Sequence, residues 1–412
     1  MNISKVITGG TAITMSDGGD LPDAVVVLSG STIAGVYPAG QAPPDVTAWV
    51  AAHPDQVLDA SGRYLIPGLV NLHEHLDMHN VPGSMHDRVA GPVRTLVPRV
   101  VRNAILSLAK GVTTVRDLGS KGATNILMRN IVDSGQFVGP RILGCGQMIA
   151  ATGGHGQPLC AEADGADGMR HVTRRQIKSG ADVIKVCASG GVVAMPRENP
   201  WAQQLSDEEL AAVVTEAHRH GLQVASHAHP PAAIRASVLA GVNTIEHGAF
   251  LDQECADLMA ARSVSMVPTV DDSFVVAGDG ERHGRPPWMM ENAGRSIDVR
   301  MKSIGLAIDA GVRLGAGTDV VGRIGHELAH LAEAGLTARQ ALAAGTSGAA
   351  DILGLSEIGR IAAGSVADLV ILRRDPLADL TRCDTDVELV VRAGTALDPA
   401  ALLALCNGGR VV

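Results

Sequence analysis

The sequence predicts an α/β protein, a (β/α)8 TIM-like barrel with a small β-sandwich domain built from both termini. The middle of the chain alternates short apolar runs with helical stretches, which is typical of βα units and a parallel sheet. Both ends instead consist of short β segments broken by Gly, Asp and Pro. We therefore expect residues 67–358 to form the barrel, and residues 1–66 and 359–412 to form the sandwich.

Eight segments of the middle region are candidate barrel strands, as a (β/α)8 barrel requires. They are residues 65–73, 111–119, 140–147, 181–188, 222–229, 242–248, 263–270 and 312–319. Helical patterns lie between them at residues 95–110, 122–134, 206–220, 231–240, 251–262 and 292–310. The α/β class follows from this alternation, and closure into a barrel follows from the count of eight.

Composition limits the class of partner. The net charge is −9 and no Lys/Arg-rich segment is present, so nucleic acid is not an expected partner. No apolar run reaches the ~18 residues that span a bilayer, and the N-terminus does not resemble a signal peptide. The six cysteines lack CxxC spacing, which argues against a thiolate zinc site. We expect a cytoplasmic homo-oligomer that acts on a small molecule.

Metal-ligating side chains occur at the ends of the candidate strands, where barrel active sites lie. His73 and His75 end the first strand, and residues i and i+2 of a strand face the same side, so both imidazoles can point inward while Glu74 cannot. An isolated HxH pair is more often solvent-facing or a hydrogen-bonded core pair. Three further candidates at strand ends favour a metal site instead: His227, His247 and Asp319.

Lys185 lies within the fourth candidate strand, among these ligands. Burial and nearby metal ions would both lower the pKa of its ammonium group, which favours the neutral amine. A neutral amine can take up CO₂ as a carbamate, an anionic group able to bridge two cations. The alternative is a lysine that reaches solvent or pairs with Asp182.

The order of these residues along the chain resembles that of the amidohydrolase superfamily: HxH, then Lys185, His227, His247 and Asp319. The segments "ATGGHG", "GADVIKVCASGG", "SHAH" and "GVNTIEHG" resemble its imidazolonepropionase-related branch, which includes Xaa-Pro and Xaa-Arg/Lys dipeptidases and ochratoxin-type amidases.

This resemblance implies that two further histidines contact the substrate. His155 follows the third candidate strand in a glycine-rich loop, and the alternative for it is a surface loop without a role. His229 stands where Xaa-Pro enzymes often have tyrosine, which favours an Arg/Lys-type or divergent pocket. His79, His86, Arg197 and Trp201 are expected on neighbouring loops, and Asp77 and Asp117 could orient the ligands.

The resulting hypothesis is a binuclear hydrolase of an amide bond, in a dipeptide or an N-acyl amino acid. Two divalent ions, expected to be Zn²⁺, would be held by His73, His75 and Asp319 and by His227 and His247, with carbamylated Lys185 and a hydroxide as bridges. Asp319 would carry the proton from the attacking hydroxide to the leaving amine. A carbamate, urea or cyclic amide hydrolase, and a non-catalytic relative, are the alternatives.

Overall fold

The computed structural model describes residues 2–78, 89, 91–195, 198–320 and 322–406. The strands are β1 (Lys5–Ala12), β2 (Leu21–Ser29), β3 (Thr32–Tyr37), β4 (Val57–Asp59), β5 (Tyr64–Pro67), β6 (Leu69–Glu74), β7 (Val112–Asp117), β8 (Arg141–Gly144), β9 (Met148–Ala150), β10 (Cys160–Glu162), β11 (Val183–Cys187), β12 (Gln223–Ala228), β13 (Thr244–His247), β14 (Ser265–Val267), β15 (Leu369–Leu372), β16 (Val387–Arg392) and β17 (Thr395–Leu397).

The α-helices of these ranges lie mostly after the parallel strands. They are α1 (Pro44–Ala52), α2 (Val93–Ala109), α3 (Thr124–Asp133), α4 (Gly165–Lys178), α5 (Asp207–Arg219), α6 (Pro231–Ala240), α7 (Gln253–Ala261), α8 (Val270–Asp279), α9 (Pro287–Asp309), α10 (Ile324–Glu333), α11 (Ala338–Ala344), α12 (Ser347–Leu353), α13 (Arg382–Thr385) and α14 (Pro399–Cys406). None of these helices has the length and apolar character needed to cross a membrane.

One mixed sheet combines the two ends of the chain. Its order is β17-β16-β15-β5-β1-β2-β3, with β4 beside β1. The ends meet where β15 pairs antiparallel with β5, with Leu369 opposite Pro67. Alternate positions of its strands, such as Ile7 and Leu369, are buried in an apolar cluster of its own.

The middle of the chain forms two parallel sheets, as the α/β prediction required. One has the order β6-β7-β8 and the other β10-β9-β11-β12-β13-β14. Their strands are almost entirely buried, because helices cover one face and the packed centre covers the other. Seven of the eight predicted strands coincide with observed ones, whereas β9 and β10 were not predicted.

The eighth predicted strand, residues 312–319, is not a regular strand. It is attached on both sides all the same, through isolated parallel bridges from Leu314 to Met266 of β14 and from Asp319 to Glu74 of β6. Its glycines explain the irregular backbone: a Cβ on Gly317 would lie 2.7 Å from the Cβ of His73. Close approach of this segment to β6 therefore requires glycine there.

The helix that precedes β12 shows how local sequence sets these bounds. Ser206 and Glu209 form a capping box at the start of α5, with the Ser206 hydroxyl accepting from the Glu209 amide. Gly221 follows the helix with a φ of 70°, a conformation that glycine adopts without strain. The strand that carries His227 thus begins directly after a well-defined helix end.

Candidate active site

His73 and His75 end β6 and both are buried, at 1% and 4% exposure. The Nδ1 of His73 lies 2.8 Å from Glu246 Oε2, and the Nδ1 of His75 lies 2.7 Å from the Gly119 carbonyl oxygen. Because both oxygens can only accept in these contacts, Nδ1 carries the proton in each ring. The Nε2 atoms keep their lone pairs for a ligand.

Asp319 approaches both rings from residues 312–319. Its Oδ1 lies 3.4 Å from His75 Nε2 and 3.6 Å from His73 Nε2. Its backbone has a φ of 63°, and its amide donates to the His73 carbonyl oxygen at 2.8 Å. The ligand atoms of the three residues all lie within 4.8 Å of one another, close enough to share a metal ion.

Lys185 is in the middle of β11 and is 1% exposed. Its Nζ lies 3.5 Å from His73 Nε2. The alternative partner, Asp182, instead accepts from the Arg129 guanidinium at 2.6 Å. Burial lowers the pKa of Lys185, with Glu246 among the charges that oppose this shift.

His227 and His247 lie at the ends of adjacent strands, and His229 follows one residue after β12. The rings of His227 and His247 are 4.6 Å apart, and the His229 ring is 4.6 Å from that of His227. Burial is the main reason that all three imidazoles have a pKa well below the ordinary value. Three neutral rings can pack this closely without charge repulsion.

His155 reaches the same cluster from the loop after β9, and its ring stacks on that of His227 at 4.0 Å. Its Nδ1 lies 2.6 Å from Glu198 Oε2, and Glu198 also accepts from the Gly191 amide. Burial lowers the pKa of His155, but the bond and charge of Glu198 outweigh it, so the pKa is raised. All eight predicted site residues line one pocket.

Glu246 is a residue that the sequence analysis missed. It is fully buried and joins His73 to the Arg116 guanidinium, whose Nη2 donates at 2.9 Å. Burial raises the pKa of Glu246, but the charges of Arg116 and His73 lower it to about 2. The sequence offered one signal for Glu246, its place directly before His247. Because side chains alternate along a strand, Glu246 faces the side of the strand opposite to His247.

Two aspartates proposed as orienting groups act on the backbone rather than on the rings. Asp117 accepts from the amides of Leu76 and Gly119, and Gly119 in turn holds His75. Asp77 accepts from the Lys121 amide. Both aspartates therefore hold the backbone around His75. We expected them to orient the candidate ligands directly, and they do so only through this backbone.

Glu74 is buried rather than exposed, although it does not line the pocket. Its carboxyl accepts from Asn71 and from Thr318, the neighbour of Asp319. Burial raises its pKa to about 8. The spacer of the HxH pair thus ties β6 to the segment that carries Asp319.

Of the loop residues, Trp201 stacks on Phe250 with ring centroids 4.0 Å apart and is 58% exposed. His79, His86 and Arg197 lie outside the described residues.

Comparison with known proteins identifies the family of this chain. Residues 64–397 match the model of the amidohydrolase family. The chain therefore belongs to the amidohydrolase family, and it is a hydrolase.

Particular relatives are similar over most of their length. Ochratoxinase of Aspergillus niger is 32% identical over 356 residues, which cover 77% of this chain and 71% of that protein. The crystal structure of a prolidase complexed with N-methylphosphonate-L-proline superposes with a TM-score of 0.86 at 30% identity, covering 96% of this chain and 99% of the other. The A. niger ochratoxinase structure superposes with a TM-score of 0.84 at 27% identity. The match covers 96% of this chain and 95% of the ochratoxinase chain.

Proposed function

We propose that this protein is a binuclear metal-dependent hydrolase that cleaves the amide bond of a dipeptide or an N-acyl amino acid. The observation that carries the proposal is the convergence of four imidazoles, one carboxylate and one buried lysine on a single pocket. The similarity to an ochratoxinase and to prolidases supports an amide substrate.

The donor set fits two divalent cations. His73, His75 and Asp319 would hold one ion, and His227 and His247 the other, because imidazole and carboxylate ligands suit Zn²⁺. Lys185 would bridge the two as a carbamate formed with CO₂; its burial and its position beside His73 support this role. When bound, the two ions would supply an activated water nucleophile and polarise the substrate carbonyl.

Asp319 is suited to carry a proton. Burial raises its pKa, but the neighbouring His73, His75 and Lys185 outweigh burial and lower it, so the carboxylate is ionised at neutral pH. We propose that it accepts the proton of the nucleophile and delivers it to the leaving amine, which needs that proton in order to depart.

His155 and His229 would position the substrate. The Glu198 carboxylate accepts from Nδ1 of His155 and raises the pKa of the ring, so the imidazolium form can also donate from Nε2 to a substrate oxygen. His229 lies next to both His227 and His247, so a group bound there is close to the reacting carbonyl.

We further propose that the two parallel sheets and residues 312–319 close into one eight-stranded barrel over residues 67–358. Residues 1–66 and 359–412 would form the β-sandwich. Hydrogen bonds from the Met266 amide to Arg313 and from the Leu72 amide to Ala316 support closure on one side, and a bond from the Asp182 amide to Gly144 supports it on the other. The cytoplasmic location and the homo-oligomeric state stay predictions.

Metal analysis and mutation of Lys185 test the proposed function. Protein purified with added Zn²⁺ should retain two ions per chain and hydrolyse members of a panel of dipeptides and N-acyl amino acids. Lys185→Ala should lose most of the bound metal and activity. Added short carboxylic acids, which can take the place of the carbamate, should restore part of both. Unaltered metal content in Lys185→Ala would contradict the bridge, and wild-type protein that retains no metal would contradict the enzyme hypothesis.

A further inference from the structure

Three sulfur atoms meet beside the pocket, although no spacing in the sequence links them. Met148 begins β9, Cys160 begins β10 and Cys187 ends β11. All six cysteines of the chain are free thiols. Neither the proposed binuclear centre nor the proposed proton transfer uses any of these three side chains.

The register of the three strands places the sulfurs on one face of the sheet. Cys160 pairs directly with Met148, and directly paired residues of parallel strands face the same side. In the β9–β11 pair, Val186 lies opposite Ile149. Cys187 and Met148 are each one residue away from that pair, so both face the other side. Met148 lines the pocket, so this shared face is the one that points towards the candidate active site.

The sulfurs lie close enough together to bind one metal ion. Cys187 Sγ lies 3.8 Å from Met148 Sδ. A Cβ on Gly156 would lie 2.9 Å from Cys160 Sγ and 3.5 Å from Cys187 Sγ, so the space that this glycine leaves free is bordered by both thiols. Three bonds of about 2.3 Å from one ion, at trigonal angles, would place neighbouring sulfurs about 4 Å apart.

Two thiols and a thioether select a different kind of ion from the imidazoles and the carboxylate nearby. Thiolate and thioether are soft ligands that prefer Cu⁺, whereas imidazole and carboxylate suit Zn²⁺. We propose that Met148, Cys160 and Cys187 form a sulfur site, separate from the binuclear centre, that binds one soft cation such as Cu⁺. On binding, each thiol would release its proton to water and bind as the thiolate.

A cation can reach the sulfur site from two sides. Cys160 is partly exposed, whereas the Cys187 thiol is fully buried. Met148 is 3% exposed and borders the pocket. An ion can therefore contact the exposed thiol or the thioether first and then bind the buried thiol.

Binding at the sulfur site would also act on His155, to which the proposed function gives a part in positioning the substrate. Cys160 Sγ donates to the His155 carbonyl oxygen at 3.1 Å, and a thiolate bound to a cation no longer has this proton to donate. We therefore expect bound Cu⁺ to raise KM by about 3- to 10-fold, as the loss of one hydrogen bond would. This effect on KM rests on the proposed function, whereas binding of the cation does not.

Anaerobic titration of the zinc-loaded protein with Cu⁺, added as its acetonitrile complex, tests the sulfur site. Competition with a colorimetric Cu⁺ chelator measures the affinity, and elemental analysis after gel filtration counts both metals. The wild type should bind one Cu⁺ per chain with its zinc content unchanged. Cys160→Ser and Cys187→Ala should each weaken binding by about 10²-fold or more, because loss of a contact behind a metal ligand already costs about 10- to 100-fold.

Three further measurements keep the test decisive. Met148→Leu keeps the volume of the side chain, removes the thioether and should weaken Cu⁺ binding by about 10-fold. Cys406→Ser is the matched control and should leave the affinity unchanged, because Cys406 is also partly exposed and donates to a carbonyl oxygen, that of Arg102. The hydroxyl in Cys160→Ser can still donate to His155, so hydrolysis without Cu⁺ should stay within about 3-fold of the wild type, and added Cu⁺ should not raise its KM.

The outcomes distinguish this inference from the proposed function, and an unfolding midpoint for each variant separates lost binding from lost folding. Equal Cu⁺ affinity in the wild type and Cys160→Ser, an equal loss of affinity in Cys406→Ser, or release of one zinc for each Cu⁺ bound would overturn the sulfur site. Hydrolysis of the substrate panel would then leave the amidohydrolase function standing. Cu⁺ binding that depends on the three sulfurs, in a protein that hydrolyses no member of the panel, would support the sulfur site and contradict the proposed function.

Discussion

Two halves of the pocket differ in how their histidines are held. In the anchored half, His73 and His75, each Nδ1 has a carbonyl or carboxylate acceptor within 2.8 Å. The open half consists of His227 and His229. Within the described part of the chain, the one hydrogen bond made by a ring nitrogen of this half joins His227 Nε2 to the Gly190 carbonyl oxygen, at 3.4 Å. The anchored rings are fixed before anything binds, whereas the open ones gain their polar partners from a ligand.

The comparison therefore assigns different duties to the two halves. Rings whose tautomer is already fixed lose little freedom when they bind a metal, so the anchored half should determine metal affinity. Rings that pack mainly against each other can adjust to what binds, so the open half, in which His227 would hold the second ion, should contribute more to the choice of substrate. Three substitutions test this division, and a fourth tests how a neighbouring turn responds to pH.

Asp319→Asn, beside the anchored half, should have the largest effect. The amide keeps the size of the side chain but cannot accept and pass on a proton, so kcat should fall by about 10² or more while the protein stays folded. Steady-state kinetics and an unfolding curve check this. An unchanged kcat would remove Asp319 from proton transfer and weaken the assignment of chemistry to this half.

Glu246→Gln should reduce metal affinity by about 10- to 100-fold, because His73 loses the carboxylate that orients it. It also leaves the Arg116 charge buried and unpaired, which costs about 3–5 kcal/mol. Metal titration with a fluorescent chelator measures the affinity.

A double variant separates the two effects of this change. Adding Arg116→Met removes the unpaired charge and should restore stability but not metal affinity. The exposed Glu208→Gln serves as control. Full recovery of metal affinity in the double variant would show that Glu246 acts only on folding.

The stability contributed by the turn after β14, where Thr269 Oγ1 lies 2.7 Å from His247 Nδ1, should depend on pH. Glu327 of α10 is fully buried, and its carboxyl accepts a hydrogen bond from the Asp271 amide. Burial raises the pKa of Glu327 from 4.5 to about 7. Between these two values the folded state binds more protons than the unfolded state, so this group lowers stability as pH rises from about 4.5 to 7. Glu327→Gln should remove part of that decline.

Urea unfolding at pH 5 and pH 8 measures this effect. The difference between variant and wild type should grow by about 1–2 kcal/mol over that interval in favour of the variant. A parallel pH dependence in both proteins would show that Glu327 ionises in the same way in the folded and unfolded states.

Glu198→Gln, next to the open half, should have the smallest effect. His155 loses a charged partner that is 29% exposed, so the expected rise in KM is about 3- to 10-fold, with kcat changed less. Metal content should stay at two ions. Loss of metal in this variant would break the division between the halves.

The sequence predicted the fold and the site to different depths. Parallel strands were predictable from apolar runs, and the meeting of the HxH pair with the later candidate ligands in one pocket was predictable from their places along the strands. Residues 312–319 lack regular strand pairing because their glycines permit close contact rather than a straight ladder, which periodicity does not reveal.

Side chains that meet between separate elements were harder to predict. Arg116 and Glu246 lie on different strands and meet only after the chain folds, so no local pattern marks them. Arg300 looks like an ordinary polar position of an amphipathic helix and points inward instead. Single-sequence patterns report local periodicity, whereas these contacts depend on packing between distant segments.

The pairing of β15 with β5 has a consequence for synthesis. A chain that is still growing can assemble β1, β2 and β3, but the free edge of β5 stays without β15 until residues 369–372 leave the ribosome. Such contacts between distant segments form slowly and expose an unpaired edge in the meantime. A segment that is translated long after β5 is therefore the one that protects the edge of β5 from association with other chains.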